Sequence, residues 1–594
     1  MPVDIATLLK ARATIAYDID ATGRVLVGDD QTGSMQLYEI TPGGDWTQLT
    51  KLDDRCSGRY LPGERTVVVE HDLGGNERGQ LSLLRLDDPT AELTPLVHDE
   101  RFIHNILDTL PGRVVYATNR RNGVDFDVVV REIASGADRV LYDGGGWIMR
   151  VAVAPDEAHV VLNRPGGAPN SQQLLLVETR TGQVDELAAF DEPARNGFPQ
   201  WLPDSTGFVF TTNSGRDFSG VARYELANRS WDYIVTGTDD ITGWLAPDGS
   251  RLLYSVRNDG ADALWIEPNG TGDIPSRPSP VEIPAGSLAT WLHAPIWSPG
   301  AEFLALTVGN PTEPGDVYVW DGGSVRRITD SSPELDKASF VTPESHRIPT
   351  PDGEQIPCFL YRPADGGGSV VLLIHGGPES ESVRSWSPVV QALVSAGHTV
   401  AVPNVRGSTG YGKRWASLDD VRLRLDSVAD LSAVHSWLPS VGLDADRAAL
   451  YGGSYGGYMV LAGLTMQPEL WAAGVDIVGM SSLVTFLENT SSYRRAARER
   501  EYGTLAEDRD FLREASPLTH IDAVRAPLLI LHGANDPRVP LSEAEQLADA
   551  VRSAGVECEM CVYDDEGHGL SKLRNKLDAY PRVIEFLNRQ LGRD

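Results

Sequence analysis

Along the first half of the chain, apolar residues come in short bursts separated by polar turns, and the bursts recur. Turns rich in Pro, Asp or Gly stand at residues 19–23, 61–64, 110–112, 154–157, 202–205, 246–249 and 297–300. Each is followed by an apolar run, a polar gap and a second apolar run. The pairs 207–211 with 221–226 and 251–255 with 263–266 show the unit most clearly. Short apolar runs bounded by turn residues read as strands, so each unit predicts a small antiparallel sheet. One such sheet cannot cover both of its faces. Seven of them, spaced by roughly 40–50 residues, can stack around an axis and cover one another. The pattern therefore predicts a seven-bladed β-propeller over residues 17–335. Residues 1–16 fall outside the repeat; 5–11 read as a short helix, a candidate to pack against the second domain.

The periodicity changes after residue 329. The stretch 330–336 is polar and turn-rich, as a domain boundary would be, and beyond it strands alternate with helices. Apolar runs at 369–374, 398–402, 447–451, 473–478, 527–531 and 557–563 are nearly continuous, the pattern of parallel strands buried on both faces. Residues 336–594 are thus expected to form an α/β domain, which the motifs that follow make an α/β-hydrolase domain. Ligands in such sheets bind beyond the carboxyl ends of the strands, so the residues just after each run carry the chemistry.

After the run at 447–451 comes Gly452-Gly453-Ser454-Tyr455-Gly456-Gly457, which fits the strand-turn-helix nucleophile elbow. The glycines remove Cβ atoms that would collide in so sharp a turn, and the serine is left at the head of a helix. A serine hydroxyl needs a base within hydrogen-bond reach, and a carboxylate to orient that base. His568 and Asp536 each follow a predicted strand at the same sheet edge, and the order Ser454, Asp536, His568 is that of elbow-type hydrolases. Asp564 and Asp565 are alternative acids, but they sit too near His568 along the chain to orient it easily. The oxyanion needs preorganised donors. The N–H of Tyr455 is one, and the N–H of Gly377, in the turn His375-Gly376-Gly377-Pro378, is the second; the phenol of Tyr411 competes for that place. His375 reads as a loop-structuring residue, and Glu379 as a weak candidate to meet a substrate amine.

Composition narrows the classes. With 84 acidic against 52 basic side chains the net charge is -32, which argues against nucleic acid and anionic membranes as partners. Four cysteines, Cys56, Cys358, Cys558 and Cys561, make no disulfide framework. The Cys558-x-x-Cys561 pair has no second pair to complete a zinc site, and no metal or other cofactor is expected. The first residues lack a basic stretch followed by an apolar one, and no apolar run approaches membrane-spanning length, so a soluble, cytoplasmic protein is expected. The sequence leaves self-association, as a homo-oligomer, open.

Taken together, 375–378, 404–412, 452–458, 536–539 and 567–569 resemble the motifs of the prolyl oligopeptidase family of serine peptidases, most like its acylaminoacyl-peptidase branch. A propeller before such a hydrolase is that family's architecture, so the resemblance spans nearly the whole chain. It implies a serine peptidase acting on short peptides through an acyl-enzyme, exopeptidase-like, with the propeller limiting access. An esterase or amidase acting on a non-peptide small molecule is the alternative. It also implies that Arg538 holds a substrate carbonyl and that 480–502, with Phe486 and Tyr493, lines the side-chain pocket; core packing of those residues is the competing reading. Arg494, Arg495 and Arg498 read as solvent-facing. The dipeptidyl branch uses adjacent glutamates to hold a free amine, and no Glu-Glu pair occurs in this chain.

Overall fold

A computed structural model describes residues 4–88, 90, 92–187, 192–268, 278–288, 294–364 and 366–592. Residues 1–3 and 593–594, at the ends of the expected segments, lie outside it. The first half is a seven-bladed β-propeller. Six blades are four-stranded antiparallel sheets, spanning 14–48, 56–97, 104–142, 150–186, 196–235 and 240–281. The seventh, 287–327, has five strands, because Ser287–Leu288 and Ile296–Trp297 both pair with Leu304–Asn310. In six blades the Pro/Asp/Gly turn of the repeat is the hairpin between the first and second strands, and in the seventh it joins Ile296–Trp297 to Leu304–Asn310. The two apolar runs seen in each unit are the second and third strands, which neighbouring blades cover on both faces. Gly207–Thr212, for instance, is buried throughout.

The flanking strands escape an apolar-run reading because they are half polar. The fourth strand Ser230–Val235 alternates exposed and half-buried positions, and the first strand His104–Leu110 is mostly half-buried. Among the described residues, each blade is built from one contiguous stretch, and no strand is exchanged to close the ring. Closure rests on side-chain packing between the first and seventh blades, where Ala16, Ile19, Val25 and Val27 meet Ala305, Val317 and Val319. The Ala16 N–H also donates to Thr307 Oγ1 (2.9 Å).

The second half contains one eight-stranded sheet in the order Glu344–Pro349, Gln355–Tyr361, Thr399–Pro403, Val370–Ile374, Ala448–Gly453, Ala473–Ile477, Leu528–Gly533, Cys558–Tyr563. The last six run parallel, and the first two form an antiparallel edge that the apolar-run reading does not contain. Helices cover both faces over two separate apolar cores. The short helix Ile5–Leu9 packs on this domain: Ile5, Leu8 and Leu9 meet Ala392, Leu573, Leu577 and Tyr580. Further ties cross between the halves, including Arg257 to Glu381 (2.8 Å) and Arg347 to Asp259 (3.1 Å). Among the described residues, no helix is long and apolar enough to cross a membrane.

Candidate active site

Ser454 lies between the strand Ala448–Gly453 and the helix Tyr455–Met466, with φ 58° and ψ -117°. That conformation is costly for any residue with a Cβ. The surroundings leave no room to relax it. A Cβ on Gly452 would lie 2.3 Å from Gly456 O, and one on Gly456 would lie 2.2 Å from Ile374 O. The Ser454 N–H is tied to Ile477 O on the adjacent strand (2.8 Å). The strained turn therefore points the hydroxyl away from the sheet.

His568 and Asp536 come to it from the ends of the next strands. His568 Nδ1 is 2.7 Å from Asp536 Oδ2, and His568 Nε2 is 2.9 Å from Ser454 Oγ. The carboxylate can only accept, so Nδ1 carries the proton, and the neutral ring's Nε2 is left to accept from the serine hydroxyl. The other oxygen of Asp536 takes backbone N–H bonds from Arg538 (2.8 Å) and Val539 (3.0 Å). Burial alone would push the Asp536 carboxyl up, but these donors and His568 outweigh it and hold it below its ordinary value. Asp565 is engaged elsewhere, by Lys572 and Arg574.

Two backbone N–H groups border Ser454, those of Tyr455 and Gly377. Tyr455 opens the helix, so its N–H has no acceptor within it. On the other side, a Cβ on Gly376 would touch Ser454 Cβ at 3.4 Å, and Gly377 follows with φ +138°. The Gly376 carbonyl accepts from His375 Nδ1 (2.7 Å), while His375 Nε2 meets Ser408 Oγ (2.8 Å). In a trans peptide the C=O and N–H point in opposite directions, so this grip on Gly376 O aims the Gly377 N–H. Burial holds the His375 pKa below its ordinary value. The Tyr411 hydroxyl is spent at the domain interface instead. It accepts from Asn404 Nδ2 (3.0 Å) and lies 3.5 Å from Asp259.

The remaining expected residues are placed as follows. Arg538 pairs with Glu77 of the propeller through Nε (2.8 Å) and Nη2 (2.7 Å). Tyr493 packs edge-on against Phe126 (5.7 Å) and Trp147 (6.5 Å) of the propeller, while Phe486 is buried against Tyr502. The solvent-facing reading of the arginines needs correction. Arg498 is mostly buried, reaching Glu379 Oε2 (3.3 Å) and the Gly377 carbonyl (3.5 Å). Arg500 takes the other oxygen of Glu379 (3.5 Å) and donates to Gly166 O on the propeller (2.9 Å). Glu379 is thus a shared counter-ion. Arginines clustered on one helix suit a solvated face equally well, and nothing in the sequence pairs them with a glutamate more than a hundred residues away.

The sequence also gave no warning of two features around the triad. Propeller loop 74–77 rests on the histidine loop backbone to backbone, where a Cβ on Gly75 would lie 2.5 Å from Gly567 N and a Cβ on Gly567 1.9 Å from Gly75 O. Asn535 Nδ2 donates to Gly74 O (2.9 Å) in the same seam. Behind Tyr455, the fully buried Arg424 bridges Asp419 and Glu501. Asp419, Asp420 and Glu501 bring one oxygen each within 4.8 Å of one another. That group has the donor chemistry for a cation, but the Arg424 guanidinium already neutralises two of its members.

A serine, a histidine and an aspartate in hydrogen-bonded line, set on an elbow beneath a propeller, define a serine hydrolase of the α/β-hydrolase class. Residues 384–594 match the prolyl oligopeptidase family, so the hydrolase half of the chain is similar to that family of serine peptidases. It is 27% identical over 563 residues to "Dipeptidyl aminopeptidase BIII" of Pseudoxanthomonas mexicana, covering 89% of this chain and 79% of that protein. It is 23% identical over 507 residues to the acylamino-acid-releasing enzyme of Rattus norvegicus, covering 80% of this chain and 63% of that enzyme. A puromycin-hydrolyzing peptidase of Mycobacterium tuberculosis has the same fold. Its TM-score is 0.87 at 19% identity, with 100% of this chain and 97% of that one covered.

Proposed function

We propose that the protein hydrolyses short peptides from one end, through an acyl-enzyme on Ser454. In this reading His568 takes the serine proton as Oγ attacks the scissile carbonyl and later returns it to the leaving amine. Asp536 keeps the imidazole in the tautomer that can do this, and stabilises the imidazolium. The N–H groups of Tyr455 and Gly377 receive the oxyanion. Water then repeats the sequence on the ester. The observation that carries the proposal is the unbroken line from Asp536 Oδ2 through His568 to Ser454 Oγ, at 2.7 and 2.9 Å. Loop 74–77 of the propeller, packed backbone to backbone on the histidine loop, supports access limited by the propeller.

A panel of acyl-aminoacyl, aminoacyl and dipeptidyl anilides tests the reading on wild type and Ser454→Ala. Anilide release by wild type, with the variant reduced by several orders of magnitude, is the expected result. Rapid turnover of p-nitrophenyl esters with every anilide intact would favour the esterase alternative. Names of relatives point to both blocked and free N-termini, and the panel separates these.

A further inference from the structure

The helix Ser492–Tyr502 runs from one side of the triad to the other. Its start is bolted to the aspartate loop, where Ser491 Oγ donates to Pro537 O (2.7 Å) and Thr490 Oγ1 to Arg538 O (2.8 Å). About two turns further on, Arg498 reaches the Gly377 carbonyl in the expected oxyanion turn. Arg494 lies between these two anchors and, four residues before Arg498, on the same face of the helix. It is half-buried, not sealed within the core. Its guanidinium sits over the Trp147 ring of the propeller, 5.4 Å from the centroid.

Its electrostatic setting is distinctive. Arg538 has Glu77, and Arg498 and Arg500 share Glu379. Among the described residues, no carboxylate lies within ion-pair distance of Arg494. Among the described residues, these four guanidiniums thus have two ion-paired carboxylates between them, with Glu501 acting on Arg498 and Arg500 from further off, in a chain whose net charge is -32. Burial, and the charges of Arg538 and Arg498, push the Arg494 pKa down to about 10. The cation is therefore held at a cost that an incoming anion would relieve. The planar fork of a guanidinium matches a carboxylate in particular, and a positive cleft on an acidic molecule concentrates anions where the rest of the surface repels them.

We infer that Arg494 sets specificity by receiving a carboxylate carried by the peptide substrate. This rests on the peptidase reading and adds a substrate class to it. The carboxylate has three sources: a side chain, a dicarboxylic acyl cap or the free C-terminus. Three matched pairs separate them, namely acetyl-Glu against acetyl-Gln anilide, succinyl-Ala against acetyl-Ala anilide, and an acetyl-tripeptide against its C-terminal amide. In wild type at least one pair should favour the carboxylate about tenfold or more in kcat/KM, the scale of a hydrogen bond to a charged group. Arg494→Gln should bring that ratio close to one, and Arg494→Lys should keep several-fold of it. The preference should also shrink as salt rises.

Wild-type ratios near or below one in all three pairs, with hydrolysis dependent on Ser454, would overturn the inference and leave the peptidase standing. A preference that survives Arg494→Gln would overturn it as well. If no peptide or anilide in the set is hydrolysed in a Ser454-dependent way, the peptidase reading itself fails and takes this inference with it.

Discussion

Buried charge lies on both sides of the nucleophile elbow, and the two groups are stabilised by different means. In front, Asp536 is surrounded by donors: His568 on one oxygen, two backbone N–H groups on the other. Its carboxyl is held below the ordinary value despite burial. Behind, Asp419 and Glu501 are fully buried and rely on one guanidinium, with Asp419 Oδ1, Glu501 Oε2 and Arg424 Nε lacking hydrogen-bond partners among the described residues. Burial, together with each carboxyl's repulsion by the other or by Glu379, outweighs Arg424 and pushes both carboxyls up. Tyr455 joins the two sides. Its N–H opens the helix in front, and its hydroxyl meets Ser427 Oγ (2.8 Å) and Asp419 (3.4 Å) behind. A charge saturated with hydrogen bonds is poised for chemistry, whereas one balanced only by a counter-ion braces the scaffold and fails if either partner is removed.

The largest expected effect is in front. Asp536→Asn preserves shape but allows the wrong imidazole tautomer, so kcat should fall by on the order of 10⁴ with stability little changed. Anilide kinetics and a thermal melt check both halves of that statement. Arg424→Met should do the reverse, destabilising the hydrolase domain by about 3–5 kcal/mol because two buried carboxyls lose their cation. Adding Asp419→Asn and Glu501→Gln to it should recover most of the loss in chemical denaturation.

The two sides should also answer pH with opposite signs. Asp476, beneath the elbow helix, is fully buried with no side-chain partner among the described residues, and burial, only partly offset by the Gly479 backbone N–H, raises its pKa to about 7. The unfolded chain releases this proton first, near pH 4, so the native state binds more protons between about pH 4 and 7. Stability therefore falls across that window, by up to about 4 kcal/mol, and levels off above it. Asp476→Asn should flatten the fall, as read from denaturation midpoints against pH. For Asp536 the folded pKa is lowered, so its contribution is whole above the ordinary carboxylate range and is lost as the pH drops below it. The smallest effect is a loosened oxyanion donor. His375→Ala frees the Gly376 carbonyl and should lower kcat about tenfold with KM little changed, less than the loss of a whole donor.

How much of this was legible in the sequence differs between the halves for a physical reason. Parallel strands buried on both faces leave continuous apolar runs, so six of the eight strands in the hydrolase sheet stand out, and with them the loops that carry Ser454, Asp536 and His568. Glycines at 452, 456 and 457 announce the elbow because close contact there admits nothing larger. Propeller blades leave half of their strands half polar, so the repeat showed the count of blades but only the middle two strands of each. Long-range charge pairs were invisible. Nothing local links Arg538 to Glu77, or Arg424 to Glu501, because those pairings exist only after the halves dock and the helices pack.

The central claim is that Ser454 alone is made reactive by the line through His568 to Asp536. Labelling with a fluorophosphonate, followed by peptide mass spectrometry, tests it most directly. The account predicts a single adduct on Ser454 in wild type, strongly slowed in Asp536→Asn and absent in His568→Ala. A folded wild-type protein that stays unlabelled, or that carries its adduct on another residue, would contradict it.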